Sequence, residues 1–196
     1  MNAEFIAKFQ KYFEGLFVQA IIDTLIMLIA TMILAIIFGF LLGVILVLTR
    51  EDGLKSNRFI YRIIDFIVNF IRSFPIMILI VALLPLTRIV MGTSIGVKRA
   101  IFPLTVAATA FMARIFENAM VEVDPQLTEA ANSFGASDFQ IIFKVILKEA
   151  VPSIVSGTTL AAVTYLSATT VAGAIGAGGL GSVAMNYGYH RFDNMI

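Results

Sequence analysis

Residues 24–49 read TLIMLIATMILAIIFGFLLGVILVLT, a run of 26 residues without a charged side chain. As an α-helix this run would be about 39 Å long, because each residue adds about 1.5 Å. The hydrocarbon core of a bilayer is about 30 Å thick, so the run can cross it with some tilt. Charged residues precede the run, and its apolar part is too long for a cleavable signal peptide. The run therefore predicts a transmembrane helix.

The composition of the whole chain agrees with a membrane protein. Of the 196 residues, 59% are hydrophobic and 14% are charged, and the mean hydropathy is +0.94. An average soluble domain is about 45–50% apolar and about 25% charged, which argues against a soluble enzyme. The net charge of +1 provides no basic field for nucleic acid. The lack of cysteine and the single histidine exclude disulfides, thiolate zinc sites and a His-rich metal centre. We therefore expect an integral membrane protein with no catalytic residue, metal or cofactor of its own.

Three further charge-poor stretches predict additional membrane-spanning helices. Residues 73–87 and 100–113 contain no charged side chain, and residues 150–189 contain none over 40 positions. The first two stretches are short, so their helices would recruit flanking residues whose charged ends reach the interface. The chain is predicted to be an all-α, polytopic membrane protein. Its four spans are placed near 17–49, 70–88, 100–122 and 150–174.

The basic residues between the spans predict the orientation. Five Lys or Arg residues lie within 50–72, and three lie within 88–99. Because cytoplasmic loops are rich in Lys and Arg, this bias places the first loop inside and the N-terminus outside. Residues 120–149 are then cytoplasmic, and the glycine-rich C-terminal segment returns to the outside.

A polar stripe marks the start of the second predicted span. Its members are Arg58, Arg62, Asp65, Asn69 and Arg72. Their spacings of three and four residues place them on one face of a helix. One interpretation is an amphipathic helix at the membrane interface in which Arg62 and Asp65 pair. The other is an intramembrane polar relay, because charged residues inside spans mark transport paths. The pattern favours the first interpretation and leaves both open.

A polar segment between the third and fourth predicted spans has its own helix signals. Asp124 followed by Pro125 is typical of an N-cap with proline at the first helical position. Gly135 stands where a left-handed C-cap belongs, and Ser137 with Gln140 forms a capping box that would start a second helix. We predict two short helices meeting at a glycine within residues 123–150, here named the helical module. The apolar face of its first helix consists of Leu127, Ala130, Ala131 and Phe134.

Helix signals alone leave open whether the helical module is an ordinary hairpin or a rigid element that transmits force from a soluble partner. Glu129-Ala130-Ala131, three further residues and Gly135 resemble the start of the EAA signature of ATP-binding-cassette import permeases. The proline expected near the end of this signature is missing at Lys148. Nearly the whole chain resembles the bacterial methionine-uptake permeases. The other stretches that carry this resemblance are 72–75, 85–88, 92–96, 113–119, 173–181 and 187–189.

This resemblance implies a type I importer permease fold with five transmembrane helices in a bacterial cell membrane. It implies a homodimer whose copies each dock their coupling helices into a cytoplasmic ATPase subunit, which hydrolyses the ATP. An extracytoplasmic substrate-binding lipoprotein would deliver the amino acid, with methionine as the expected substrate. In the signature, coupling to the ATPase would be carried by Glu129, Ala130, Ala131 and Gly135. Since only four of five spans are predicted, we expect a chain shortened by one C-terminal span.

Two glycine patterns lead to separate predictions. Residues 176–181 match GxGxxG, but a span rather than a strand precedes them, which argues against a dinucleotide site. We predict instead an extended re-entrant loop packed against protein. Gly39 and Gly43 form a GxxxG pattern in the first span, for which we predict packing within the monomer.

The fourth span is rich in small and hydroxyl residues, which favours helix packing over a pore lining. By resemblance to the family, Ser167, Thr170 and Val171 would face the translocation path. A secondary transporter or channel is the alternative function, and it would need ionisable residues at midplane depth. The charge-free span centres favour the permease instead. The chain contains no Walker A pattern, so ATP hydrolysis is expected in a partner subunit.

Overall fold

The computed structural model of the protein describes residues 13–92 and 96–190. Within these ranges all regular structure is helical and no strand occurs, so the predicted all-α class is confirmed. The α-helices are α1 (Val18–Thr49), α2 (Arg58–Ser73), α3 (Ile76–Ala82), α4 (Leu84–Met91), α5 (Val97–Val121), α6 (Pro125–Ser133), α7 (Asp138–Gln140), α8 (Leu147–Ala172) and α9 (Gly179–Val183). Turns of π-helix occupy Phe13–Phe17, Ile141–Ile146, Gly173–Ala177 and Ala184–Tyr189. The end of the chain, on which the expectation of a missing fifth span depends, lies outside the described residues.

Three stretches of helix in the described part of the chain are long and apolar enough to cross a membrane. They are Gly15–Thr49, Val97–Val121 and Asp138–Ala177. A fourth span results if the bent pair formed by α2 and α3 counts as one. The predicted spans near 17–49 and 100–122 are confirmed as α1 and α5.

The predicted continuous helix near 70–88 is wrong. α2 ends at Ser73, and α3 begins only after Phe74 and Pro75. A proline disfavours the helical conformation of the residue before it, which explains the break. A second interruption at Leu83 separates α3 from α4, where Pro85 occupies the first turn. The segment therefore consists of three helices instead of one.

The described chain divides into two compact units. The first contains residues 13–34, 74–92, 96–107 and 162–190. The second contains residues 35–73 and 108–161, and with them the whole helical module.

In the first unit the glycine-rich segment is helical, so the predicted extended loop is wrong. The π-turn Gly173–Ala177 is kinked at Gly176, and Gly178 separates it from α9. Gly176 and Gly178 have φ values of 96° and 92°, which glycine adopts without steric cost. The backbone N–H of Leu180 donates to Thr24 Oγ1 at 3.0 Å, which ties the segment to α1. Helical turns bond most of their own backbone groups, whereas an extended loop in an apolar environment would leave them unpaired.

The second unit has a core in which α1, α2 and α5 meet. Its buried members are Leu46, Val68, Ala110 and Ala113, with Leu42, Tyr61, Ile64 and Ile71 packed against them. Glycine allows α1 and α5 to approach each other closely. A Cβ on Gly39 would lie 2.5 Å from Met112 Cβ, and one on Gly43 would lie 2.6 Å from Phe116 Cβ. The predicted packing of this GxxxG pattern within the monomer is confirmed.

Candidate functional site

α6, the first helix of the helical module, begins and ends where the sequence predicts. The Asp124 carboxylate accepts a hydrogen bond from Gln126 N–H at 2.9 Å, which caps the N-terminus. At the other end Gly135 has a φ of 79°. The N–H of Ala136 donates to the Ala131 carbonyl at 3.1 Å, a bond that belongs to a Schellman motif. α6 is therefore a short helix with a defined cap at each end.

The second helix of the module begins at the predicted capping box but does not end within the module. Ser137 Oγ accepts from Gln140 N–H at 3.4 Å, and Gln140 Oε1 accepts from Ser137 N–H at 3.0 Å. From α7 the helix continues through the π-turn Ile141–Ile146 into α8. The predicted separate short helix is therefore wrong, because it is continuous with α8, which corresponds to the span predicted near 150–174 and contains Pro152. A proline inside a membrane helix is tolerated where neighbouring groups compensate for its missing N–H.

The four residues predicted for docking lie together on α6 and its C-terminal cap. Glu129, Ala130 and Gly135 are exposed, and Ala131 is half-buried. Ala130, Ala131 and the left-handed Gly135 have small side chains or none, so little covers the backbone beside the Glu129 carboxylate. A partner protein can approach the backbone of such a surface closely.

The module also exposes aromatic side chains that the sequence analysis did not assign to docking. Phe134 at the C-cap of α6 is 91% exposed, and Phe139 in α7 is 67% exposed. Leu127, on the same predicted apolar face as Phe134, is 41% exposed. Large apolar side chains on an otherwise polar segment mark interaction surfaces. The signal in the sequence was large apolar side chains on a polar segment, but only the fold shows that both rings are exposed.

Aromatic rings connect the module with two long helices of the second unit. The ring centroids of Phe139 and Phe143 are 4.4 Å apart. Phe143 lies 6.3 Å from Phe40 in α1, and Phe40 lies 5.3 Å from Phe116 in α5. These separations are within the range of favourable aromatic pairs. The second helix of the module therefore contacts α1 through Phe143, and Phe40 in turn contacts α5.

The polar stripe of α2 bonds to α5. Asp65 Oδ1 accepts from Arg114 Nη2 at 2.5 Å, so the predicted pair of Arg62 with Asp65 is wrong. Arg114 also pairs with Glu117 in its own helix. Helical spacing cannot reveal a partner that lies 49 residues away along the chain.

A family model joins these features to known proteins. The model for the binding-protein-dependent transport system inner membrane component matches residues 35–196. The chain belongs to this family. It is therefore a multi-pass inner membrane permease, and the resemblance drawn from the EAA-like residues is confirmed at the level of the family.

Named relatives of this permease are 41–47% identical to it over about four fifths of its length. A probable D-methionine transport system permease protein of Vibrio cholerae is 47% identical over 155 residues, which cover 79% of this chain and 69% of the relative. The D-methionine transport system permease protein of Escherichia coli strain K12 is 41% identical over 158 residues, which cover 81% of this chain and 73% of that relative.

Solved structures agree with the fold of the permease. A methionine ABC transporter in inward-facing conformations is similar with a TM-score of 0.87 at 41% identity, covering 90% of this chain and 82% of that chain. An amino acid ABC transporter determined with histidines has a TM-score of 0.68 at 22% identity, covering 98% of this chain and 87% of that chain, which supports the fold alone. The predicted ABC importer permease fold is confirmed.

The three residues predicted for the translocation path of the permease lie on one face of α8. Ser167 and Thr170 are exposed and Val171 is half-buried, and all three belong to the first unit. The Ser167 hydroxyl donates to the Val163 carbonyl at 3.4 Å, and the Thr170 hydroxyl donates to the Leu166 carbonyl at 3.5 Å. These hydroxyls bond to their own helix, so their assignment to a translocation path stays a prediction.

Proposed function

We propose that this permease is the membrane subunit of an ATP-driven methionine importer. The observation that carries the proposal is the exposed, capped helix α6, which presents Glu129, Ala130 and Ala131. It occurs in a chain whose relatives carry D-methionine transport names at 41–47% identity. The chain itself would be a transport subunit and not an enzyme.

The proposed partner of α6 is a cytoplasmic ATPase subunit, one for each copy of a permease homodimer. Ala130 and Ala131 allow the close approach of a partner surface, and Glu129 can pair with a basic residue there. The exposed ring of Phe134 can enter an apolar pocket, as aromatic anchors of interfaces do. In this proposal residues 1–196 form a single permease domain, and residues 123–150 are its docking segment.

The proposed orientation places the N-terminus outside and the helical module in the cytoplasm, following the excess of Lys and Arg in residues 50–72. A substrate-binding lipoprotein would then deliver methionine from the opposite side of the membrane. Ser167, Thr170 and Val171 would face the path of the amino acid in the dimer.

Reconstitution tests the proposal directly. The permease is purified with its ATPase subunit, inserted into vesicles with the binding protein, and supplied with labelled D- and L-methionine. We expect uptake that requires ATP and is not competed by other amino acids. Uptake driven by an ion gradient without ATP would support a secondary transporter instead. ATP-dependent uptake of a different amino acid would refute the substrate.

Two substitutions on α6 and its cap test the coupling role. Gly135→Asp places a side chain at a φ of 79° and a carboxylate beside the docking surface, and Glu129→Lys inverts the charge of that surface. Both variants should insert into the membrane yet lose uptake. Glu51→Lys, the same charge change on an exposed residue outside the helical module, is the matched control and should transport normally. Normal uptake by either of the two variants would exclude the coupling role.

A further inference from the structure

A network of charged and polar groups joins α2 to α5. Arg114 Nη2 donates to Asp65 Oδ1 at 2.5 Å and to Asn69 Oδ1 at 3.1 Å, and Arg114 Nη1 donates to Glu117 Oε2 at 2.5 Å. The Tyr61 hydroxyl donates to Glu117 Oε1 at 3.1 Å. All five residues belong to the second unit. One guanidinium thus bridges carboxylates on two different helices.

The α5 side of the network is withdrawn from solvent, whereas Asn69 on α2 is exposed. The side chain of Arg114 is 17% exposed, that of Glu117 is 4% exposed, and that of Asp65 is 32% exposed. Buried charges are unfavourable unless they are paired and hydrogen-bonded, and apolar side chains of similar volume often stabilise a fold as well. Stability alone therefore does not explain charged residues here. In membrane helices such residues mark functional positions.

The charged groups of the network fix the orientation of α2 relative to α5. On one face of this helix Val68 packs into the apolar core of the second unit. Another face is open, since Phe59 is 74% and Phe66 is 67% exposed. Apolar contacts on one side alone let a helix rotate or slide, whereas hydrogen bonds have a direction. The bonds from Arg114 to Asp65 and Asn69 hold α2 in one rotational setting against α5.

The network lies close to the docking helix along the chain. Glu117 stands four residues before Val121, where α5 ends, and only three residues connect α5 to α6. The connection is short, and the Asp124 cap closes it at the start of α6. A displacement of α6 would therefore act first on the end of α5 that carries Arg114 and Glu117.

We propose that Arg114 is a positioning residue that fastens α2 to α5, so that α2 moves together with α6 when the ATPase partner changes state. This inference rests on the proposed function, because it assumes that the partner displaces α6. α2 lies outside the docking segment. In this proposal it moves with the helices that carry the motion of the ATPase into the membrane.

Distance measurements between α2 and α6 test the inference. The chain has no cysteine, so Ile67→Cys on α2 and Gln126→Cys on α6 can carry spin labels without a background signal. Both positions are exposed. In the complete transporter we expect the same distance distribution in the nucleotide-free and the ATP-bound state. In the Arg114→Met variant the distribution should shift or broaden between these states. The inference would be overturned if the distance changed between the two nucleotide states in the transporter that keeps Arg114. It would also be overturned if the Arg114→Met distributions were the same as those of that transporter.

The ratio of substrate transported to ATP hydrolysed is a second readout, and a purely stabilising role would not change it. Arg114→Met should lower this ratio while it retains ATPase binding. Arg114→Lys keeps the charge but has one nitrogen in place of the two that bond to Asp65 and Glu117, and should restore part of the ratio. The matched control is Arg62→Met, which removes an arginine of the same stripe that forms no ion pair among the described residues. An unchanged ratio in Arg114→Met, or an equal loss in Arg62→Met, would refute the positioning role.

If Arg114→Met fails to insert into the membrane, the labelled transporter with Arg114 present still decides the inference through its two distance distributions. Methionine uptake by the unlabelled transporter tests the proposed function separately. A transporter that imports methionine while α2 and α6 move apart would refute only the inference. A transporter without ATP-dependent uptake would refute the proposed function.

Discussion

Replacement of Phe134 by alanine should weaken binding of the proposed ATPase subunit without destabilising the permease. In the chain alone the side chain is 91% exposed, so its truncation leaves no cavity in the core. Surface substitutions of this kind change the free energy of unfolding by less than about 0.5 kcal/mol. The melting temperature Tm of the purified permease should therefore stay within about 2 °C of its original value.

The expected loss of affinity follows from the burial of this ring. Complete burial of a phenylalanine side chain contributes about 1.5–3 kcal/mol. Because almost the whole ring is exposed before docking, a partner that encloses it gains nearly this full amount. Each 1.4 kcal/mol corresponds to a factor of about ten, so the Kd of the ATPase subunit should rise about 10- to 150-fold at each docking site.

The assay is binding of the purified ATPase subunit to permease in lipid nanodiscs. Phe59→Ala is the matched control, because Phe59 is 74% exposed but lies on α2, outside the helical module. The control should leave the Kd unchanged. A Phe134→Ala variant that binds within about twofold of the original affinity, or an equal loss in Phe59→Ala, would refute docking through α6.

Two further predictions concern packing. Gly39→Val should lower Tm, because a Cβ at this position would lie 2.5 Å from Met112 Cβ, and overpacking of this kind costs about 1–3 kcal/mol. Gly15→Val, where nothing lies within 4 Å of an added Cβ, is the control and should leave Tm unchanged. Thr24→Val removes the acceptor of the Leu180 N–H, and an unsatisfied buried group costs about 1–3 kcal/mol. Thermal unfolding in detergent measures each loss, and an unchanged Tm for either variant would contradict the corresponding contact.

Local signals in the sequence were sufficient for the helix caps and the longest span. α1 follows from a run of apolar residues, and the caps at Asp124 and Ser137 follow from side chains that bond within three residues. Both depend on interactions between near neighbours in the chain. The proposed docking residues came instead from the resemblance to the EAA signature, because helix caps do not identify a partner protein.

Other features required the folded chain. Pro75 interrupts a predicted span, whereas Pro152 lies inside a continuous helix. The same residue type thus has opposite outcomes, because the surroundings of each helix decide whether a missing N–H is tolerated. The glycine-rich segment likewise forms helical turns where an extended loop was predicted.

By itself the sequence determined that this protein lies in a membrane, that its spans are helical and that a capped helix stands between two of them. These properties depend on hydrophobicity and on bonds between residues a few positions apart. Only the tertiary structure decided that Asp65 pairs with Arg114 and that Phe134 and Phe139 stay exposed. The physical reason is that the partner of a charge, and the surface left uncovered, depend on which groups come close in space and not on their order in the chain.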